Sequence, residues 1–168
     1  VGDAELDEGN VYECLQEGWK HDLRNVWWII DYNRQSLDGV VHEGLSERLS
    51  SVFEAFGWNL IVLKYGRLQK DAFKEPGGDL LKKWIDDCPN QLYSALIYEG
   101  GAAFKKRVLD DIGDQDIVSK LINKRSDNEF LELMANLGGH CVPTLCDAFN
   151  GIKDDKPTAF IAYTIKGW

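Results

Sequence analysis

Three short apolar runs constrain the fold of this chain more than any other feature of its sequence. They cover Asn25 to Asn33, Trp58 to Tyr65 and Thr158 to Ile165, and each is rich in Val, Ile, Leu or aromatic residues. Runs of this length and composition are typical of strands that are buried on both faces, as in the parallel sheets of α/β proteins. The sequence therefore predicts three inner strands.

The segments between these runs carry the three- and four-residue spacing of amphipathic helices. One pattern comprises Val11, Cys14, Leu15 and Trp19, and a second comprises Leu45, Leu49, Val52, Phe53 and Phe56 and ends at Gly57. Further helices are predicted at Gly78 to Asp87, Ala102 to Gly113, Ile117 to Asn123, Asp127 to Leu137 and Val142 to Asn150. Because strands that alternate with helices need right-handed crossovers, we predict an α/β fold with a mostly parallel sheet and helices on both faces.

Length and composition are those of one domain. A chain of 168 residues with 44% apolar and 11% aromatic residues can bury a core of ordinary size. No repeat or low-complexity segment divides it, so we expect residues 1–168 to form a single domain. Because the sequence begins without methionine and stops just after a strand pattern, we also expect it to be a fragment of a longer chain.

The charge balance bears on possible partners. Nineteen basic and 28 acidic residues give a net charge of -9, which disfavours nucleic acid or an anionic membrane surface as the main partner. The sequence shows no signal peptide and no apolar run near twenty residues, and its four cysteines include no Cys-x-x-Cys pair. These features predict a soluble protein of the reducing cytoplasm.

Polar residues follow two of the expected strand ends, where ligands collect in an open parallel sheet. Gly2-Asp3-Ala4-Glu5 would follow one strand, and Asn33-Arg34-Gln35 would follow the next. The carboxylate of Asp3, the amide oxygen of Asn33 and the backbone carbonyl of residue 35 would form an all-oxygen set suited to Mg²⁺. From spacing alone, a simple turn before an acidic first helical turn explains the first segment as well.

Two segments of the chain resemble the thiamine-diphosphate motif of the homodimeric pyruvate dehydrogenase component, within the transketolase-like superfamily. They run from Gly2 to Glu8 and from Asp31 to Gly39. Gly57-Trp58-Asn59, Gly138-Gly139-His140 and Thr164-Ile165-Lys166-Gly167-Trp168 resemble other segments of that family. The resemblance covers nearly the whole chain, although residues 66–136 match only loosely, and it implies the diphosphate-binding domain of a thiamine-diphosphate-binding fold.

The resemblance also implies roles for individual residues. Asp3, Asn33 and Gln35 correspond to the Mg²⁺ ligands, and the cofactor-binding residues further include Ala4, Glu5, Asp31 and Lys166. Two positions depart from the family pattern: Ala4 stands where glycine is usual, and Asp31 stands where asparagine is usual and where transketolases often carry aspartate. The first change places a methyl group where a backbone normally approaches a phosphate.

At the level of function, the resemblance implies a full-length dehydrogenase that decarboxylates pyruvate or a close 2-oxo acid and passes the acyl unit to a lipoyl acyltransferase. A second copy of the chain would complete the cofactor site, the catalytic residues would lie outside these 168 residues, and the isolated chain would be inactive. Two alternatives remain open. One is a transketolase, or a dehydrogenase for 2-oxobutanoate or a branched 2-oxo acid; the other is a non-catalytic α/β interaction module that has lost the cofactor.

Two further sets of residues have simpler explanations. Three of the six tryptophans, Trp27, Trp28 and Trp58, fall in or beside predicted strands, so core packing or a subunit interface is expected for them rather than a stacking platform. His140 follows two glycines and has no serine or cysteine placed to form a triad with it. A role in a turn, or in supporting the site from behind, is therefore expected for His140.

Overall fold

The computed structural model describes residues 1–36, 39–40, 45–113 and 116–168. Its strands are β1 (Trp27–Tyr32), β2 (Gln35–Ser36), β3 (Gly39–Val40), β4 (Asn59–Leu63) and β5 (Thr158–Tyr163). β1, β5 and β4 form a parallel sheet in that order, whereas β2 and β3 form a short antiparallel ladder. The three predicted strands and the parallel sheet are confirmed. Leu37 and Asp38 of the motif lie outside the described residues.

The helices of the described residues are α1 (Gly9–Lys20), α2 (Leu45–Ala55), α3 (Arg67–Ala72), α4 (Gly78–Asp87), α5 (Asn90–Glu99), α6 (Gly101–Ile112), α7 (Asp116–Asn123), α8 (Asp127–Ala135) and α9 (Val142–Gly151). Two short 3-10 turns cover Ala4–Asp7 and Gly138–His140. Every helix that the sequence predicted is confirmed, with ends that differ by two residues at most. α3 and α5 were not predicted.

Helices cover both faces of the sheet, as predicted. On one face, Phe53 of α2 packs edge-on against Trp28 of β1 and against Trp58, with ring centroids 5.8 and 5.6 Å apart. On the opposite face, Phe149 of α9 contacts Trp27 and Phe160 at 5.5 and 5.0 Å. The expected core packing of the three tryptophans is therefore confirmed for Trp28 and Trp58 and applies in part to Trp27.

The prediction that β1 and β4 are buried on both faces is wrong. Trp27 and Ile29, which share one face of β1, are each 45% exposed, while Ile30 and Tyr32 on the other face are buried. In β4, Val62 is 47% exposed and only Leu63 is buried. The six residues of β5 are all buried because this strand lies between two neighbours and beneath helices on both sides. An apolar run predicts a strand, but how completely its faces are covered depends on the distant helices that pack there.

The helices between β4 and β5 pack around Phe104, which is fully buried. The rings of Trp84, Tyr93 and Phe130 surround it at centroid distances of 5.8, 5.3 and 6.1 Å. α8 begins with a capping box in which Ser126 and Glu129 satisfy each other's backbone N–H groups, which explains why that helix starts where it does. Through Tyr93, these ring contacts pack α5 against α6.

Within the described part of the chain, none of the helices is both long and apolar enough to cross a membrane.

Candidate functional site

The carboxyl edge of the sheet brings together the two polar segments that the sequence singled out. Gly2 pairs in parallel with Asp31 at the end of β1, and the backbone N–H of Asp3 donates to the carbonyl of Asp31 at 3.2 Å. The backbone N–H of Arg34 then donates to Oδ2 of Asp3 at 2.7 Å. The segment that begins with Gly2 therefore lies beside β1, and the side chain of Asp3 lies against the turn that contains Asn33.

Asp3 carries the most informative side chain of this edge because it is a carboxylate that is only 3% exposed. Its Oδ2 accepts the hydrogen bond from Arg34, but its Oδ1 is buried and has no hydrogen-bond partner among the described residues. Burial raises the pKa of Asp3, and the nearby charge of Asp31 adds to this effect, whereas backbone N–H groups, foremost that of Arg34, lower it. The oxygen without a partner is an acceptor that a cation could satisfy.

Asn33 and Gln35 flank Arg34 in the turn after β1. Arg34 adopts a left-handed backbone conformation with φ of 66°, which reverses the chain so that its N–H points at Asp3. Asn33 is partly buried and engaged in contacts of its own. The backbone of Gln35 pairs with Val40 in the β2–β3 ladder, and its side chain is outside the described residues.

Ala4 and Glu5 lie in the 3-10 turn that follows Asp3. The turn is closed by a hydrogen bond from the N–H of Leu6 to the carbonyl of Asp3 at 3.2 Å. Glu5 is exposed, and its carboxylate folds back against Gly2, where a Cβ atom would come well inside 3.0 Å of Oε2. Ala4 is half-exposed, so its methyl group stands at the surface of the turn.

The segment after β5 supplies the other side of the edge. The hydroxyl of Thr164 donates to the carboxylate of Asp31, and the backbone N–H of Thr164 donates to the carbonyl of Tyr32 at 3.2 Å. Lys166 is exposed, and its carbonyl accepts a hydrogen bond from the hydroxyl of Tyr98 on α5. The backbone of Lys166 is thus fixed while its side chain stays at the surface near the strand ends.

His140 supports the segment after β5 through a hydrogen bond to its backbone. Its Nε2 accepts a hydrogen bond from the backbone N–H of Ile165 at 2.8 Å, so this nitrogen carries no proton. Desolvation lowers the pKa of His140, an effect that the negative charge of Asp31 opposes, and the neutral ring is the form that can accept this bond. Gly138 allows the turn to approach β4 closely, because a Cβ atom there would collide with the carbonyl of Leu63. This is the supporting role expected for His140.

Arg34 is a site residue to which the sequence analysis gave no role. Its side chain is 7% exposed; Nη1 donates to Oδ1 of Asn90 at 3.1 Å and Nη2 to the carbonyl of Thr164 at 3.5 Å. The guanidinium carbon lies 5.6 and 5.8 Å from the ring centroids of Tyr93 and Tyr163. Asn90 is 56 positions away and lies in a helix that was not predicted, so no sequence pattern indicated this contact.

The residues present fit a hydrated divalent cation. Asp3 offers a buried oxygen without a partner, and the neighbouring turn carries the amide of Asn33 and the carbonyl of Gln35, which are the hard oxygen donors that Mg²⁺ prefers. No group of three or more His, Cys, Asp or Glu side chains converges in the described ranges. The predicted set contains only one carboxylate, and phosphate oxygens and water would supply the remaining donors to the ion.

Comparison with known proteins bears on the identity of the chain. No family model matches it. It is 26% identical to the pyruvate dehydrogenase E1 component of Corynebacterium glutamicum, 28% identical to that of Buchnera aphidicola and 25% identical to that of Escherichia coli K12. Each alignment spans 172 positions and 100% of this chain, but only 18%, 19% and 19% of the respective relative.

The chain thus spans about a fifth of the length of the curated relatives that it matches. The similarity extends from one end of the chain to the other, through the loosely matching middle region as well as the two motif segments. The resemblance inferred from the sequence motifs is therefore confirmed: along its whole length, this chain is similar to pyruvate dehydrogenase E1 components.

Proposed function

We propose that this chain binds the diphosphate of thiamine diphosphate through Mg²⁺. The observation that carries the proposal is the buried Oδ1 of Asp3, which has no partner in the described structure and lies beside the turn that contains Asn33. A buried carboxylate oxygen without a hydrogen bond is costly unless a cation neutralises it. Asp3, Asn33 and the carbonyl of Gln35 would be the protein ligands of the ion.

The remaining residues of the edge would bind and place the diphosphate. Lys166 has an exposed ammonium group on a fixed backbone, which suits it to neutralise a phosphate oxygen. The 3-10 turn at Ala4 and Glu5 would lie alongside the same group. When bound, the cofactor would supply the electron sink for decarboxylation of a 2-oxo acid.

The support for these residues comes from the two strand ends behind them. The hydrogen bond between Thr164 and Asp31 ties the end of β5 to the end of β1. It thereby links the segment that carries Lys166 to residues 33–35, which we call the Mg²⁺ turn. His140 holds the backbone of Ile165 from the other side. These contacts would keep the donors in place before the cofactor arrives, which reduces the cost of ordering them on binding.

We propose further that the full-length protein is a thiamine-diphosphate-dependent pyruvate dehydrogenase of the E1 type. It would decarboxylate pyruvate or a close 2-oxo acid in the cytoplasm and pass the acyl unit to the lipoyl acyltransferase of a multienzyme complex. A second copy of the chain would complete the site, and the catalytic residues would lie outside residues 1–168. The similarity to E1 components over the whole chain supports this proposal.

We also propose that residues 1–168 form a single domain. Buried residues from the sheet, from α1 and α2, and from α4–α8 belong to one connected apolar cluster, as expected when elements share a core.

The proposal is tested by replacing Asp3 in the full-length protein. Asp3→Ala should abolish Mg²⁺-dependent binding of thiamine diphosphate in isothermal titration calorimetry. Asp7→Ala is the matched control, because Asp7 is an exposed carboxylate in the same 3-10 turn and lies outside the proposed ligand set. Binding by the Asp3→Ala variant with wild-type affinity would exclude Asp3 as a ligand and favour the non-catalytic interaction module, an alternative suggested by the methyl group of Ala4.

The nature of the substrate is a separate question. A transketolase would act on a ketose phosphate, and a related dehydrogenase would prefer 2-oxobutanoate or a branched 2-oxo acid. Comparing these compounds with pyruvate as substrates of the full-length protein distinguishes the three activities. Pyruvate should give the highest kcat/KM.

A further inference from the structure

Among the residues that the structure describes, Arg34 is a buried cation without a carboxylate partner. It forms no ion pair with the described residues, and its Nε is buried without a hydrogen-bond acceptor. Buried arginines are normally paired, because removal of a guanidinium from water is expensive. A neutral apolar side chain would fill the space between Tyr93 and Tyr163 without that cost, so packing alone does not account for an arginine here.

The contacts of Arg34 link three segments that are far apart in the sequence. Its own backbone belongs to the turn after β1, and its two terminal nitrogens reach Asn90 at the start of α5 and the carbonyl of Thr164 after β5. Asn90 is itself buried. A planar guanidinium donates to two acceptors from two nitrogens held in a fixed geometry, whereas the three N–H groups of a lysine share one nitrogen and rotate freely.

Two of the linked segments carry the proposed site. Asn33 precedes Arg34 directly, and Lys166 follows Thr164 by two positions. The backbone of Arg34 is held as well, because its left-handed conformation directs its N–H to Oδ2 of Asp3 at 2.7 Å. Arg34 therefore contacts α5 and the segment after β5 at once, while its own backbone forms part of the turn that holds Asn33 and Gln35.

We propose that Arg34 is a positioning residue for the metal and diphosphate site. Its guanidinium anchors the Mg²⁺ turn to α5 and to the backbone of Thr164. This anchoring sets the positions of the Mg²⁺ ligands relative to Lys166. Arg34 need not touch the ion, since its effect passes through the backbone on either side. The inference rests on the proposed function and deepens it by naming a residue that governs the affinity of the site.

The test compares variants of the full-length protein in titrations of Mg²⁺ at a fixed concentration of thiamine diphosphate. Binding is followed by tryptophan fluorescence and, with Mn²⁺ as the probe, by electron paramagnetic resonance. Arg34→Leu should raise the half-saturating metal concentration by about 10- to 100-fold, the effect typical of residues that orient metal ligands from behind. Arg34→Lys should also need more metal than the wild type, because it keeps the charge and loses the two simultaneous hydrogen bonds of the guanidinium.

The matched control is Arg24→Leu. Arg24 is an exposed arginine that pairs with Asp22 and Asp155 at the opposite, amino edge of the sheet, so its loss should leave the metal requirement unchanged. The thermal midpoint without metal, measured for each variant, reports folding separately from binding. A merely structural role would lower this midpoint without changing the metal requirement of the folded protein.

The possible outcomes separate the two proposals. A wild-type protein that shows no metal-dependent binding overturns the proposed function and this inference with it. A wild-type protein that binds, together with an Arg34→Leu variant that needs no more metal, overturns the inference alone, as does full recovery in Arg34→Lys. If circular dichroism shows that Arg34→Leu does not fold, Asn90→Ala decides, because it removes one anchor and keeps the arginine. An unchanged metal requirement in that variant overturns the inference.

Discussion

Replacement of Asp3 by asparagine should have opposite effects on the cofactor-free and the cofactor-bound protein. The amide has nearly the size and shape of the carboxylate and can still accept the N–H of Arg34, which lies 2.7 Å from Oδ2. What the replacement removes is a negative charge on a side chain that is 3% exposed. The free energies of the two states therefore change for different reasons.

In the cofactor-free protein, the charge of Asp3 destabilises the folded state. Burial raises the pKa of Asp3, so its charged form is disfavoured in the folded state relative to the unfolded state. A buried polar group without its partner costs about 1–3 kcal/mol, and the amide retains part of that cost because its own nitrogen finds no acceptor. We therefore expect Asp3→Asn to stabilise the cofactor-free protein by about 1 kcal/mol.

In the presence of Mg²⁺ and thiamine diphosphate, the order should reverse. A ligand at about 100 times its Kd stabilises the folded protein by about 2.7 kcal/mol, and only the wild type would gain this. Differential scanning fluorimetry of both full-length proteins, with and without metal and cofactor, measures all four midpoints. Asp7→Asn is the control, because Asp7 is an exposed carboxylate of the same turn.

The stability that Asp3→Asn adds to the cofactor-free protein should depend on pH. Because the pKa of Asp3 is raised in the folded state, the charge of Asp3 destabilises the folded protein fully at a pH above this raised pKa. The destabilisation disappears as the pH falls through the raised pKa toward the ordinary value of 3.8. The advantage of the cofactor-free variant should therefore shrink on acidification. A variant that is less stable than the wild type without cofactor, or a wild type that gains no stability from Mg²⁺ and cofactor, would refute this reasoning.

Three further predictions concern the surroundings of the site. Ala4→Gly should lower the Kd for thiamine diphosphate by about 3- to 10-fold in calorimetry, since the backbone could then approach a phosphate more closely; an unchanged Kd would contradict this. His140→Ala leaves the N–H of Ile165 without its acceptor and should destabilise the folded protein by about 1–3 kcal/mol. Burial lowers the pKa of His140 in the folded state, so protonation of this residue destabilises the wild type as the pH falls below 6.5. The variant should lack this part of the pH dependence. Gly138→Ala should lower the stability to urea by about 1–3 kcal/mol because its methyl group would collide with the carbonyl of Leu63, whereas Gly151→Ala has open space and should change it by less than about 0.5 kcal/mol.

Local sequence patterns were sufficient to place the strands and most helices. Each apolar run became a strand that is shorter by two or three residues in total, and the helix predicted at Gly78 to Asp87 has those limits in the structure. α5 was missed because two of its five buried positions, Asn90 and Ser94, are polar and interrupt the apolar spacing. α3 was missed because it is only six residues long, and Gln69 is one of its two buried residues.

The candidate site could be predicted in part, for a reason that lies in the geometry of parallel strands. The carboxyl ends of neighbouring strands meet at one edge, so the polar segments at Asp3 and Asn33 had to lie close together if both followed strands. The structure brings the two segments into contact through the hydrogen bond from Arg34 to Asp3. The role of Arg34 could not be predicted in this way, because it depends on a side-chain contact with a distant helix.

These two kinds of contact imply different sensitivities to substitution. The bond between Asp3 and Arg34 uses the backbone N–H of residue 34, so it should survive any side chain there that tolerates a φ of 66°. The bond between Arg34 and Asn90 uses side chains at both ends and joins residues 56 positions apart. Substitutions within α5 should therefore weaken the anchoring of the Mg²⁺ turn, although α5 lies outside that turn. Helices that the motif does not include would then set the affinity of the site that the motif encodes.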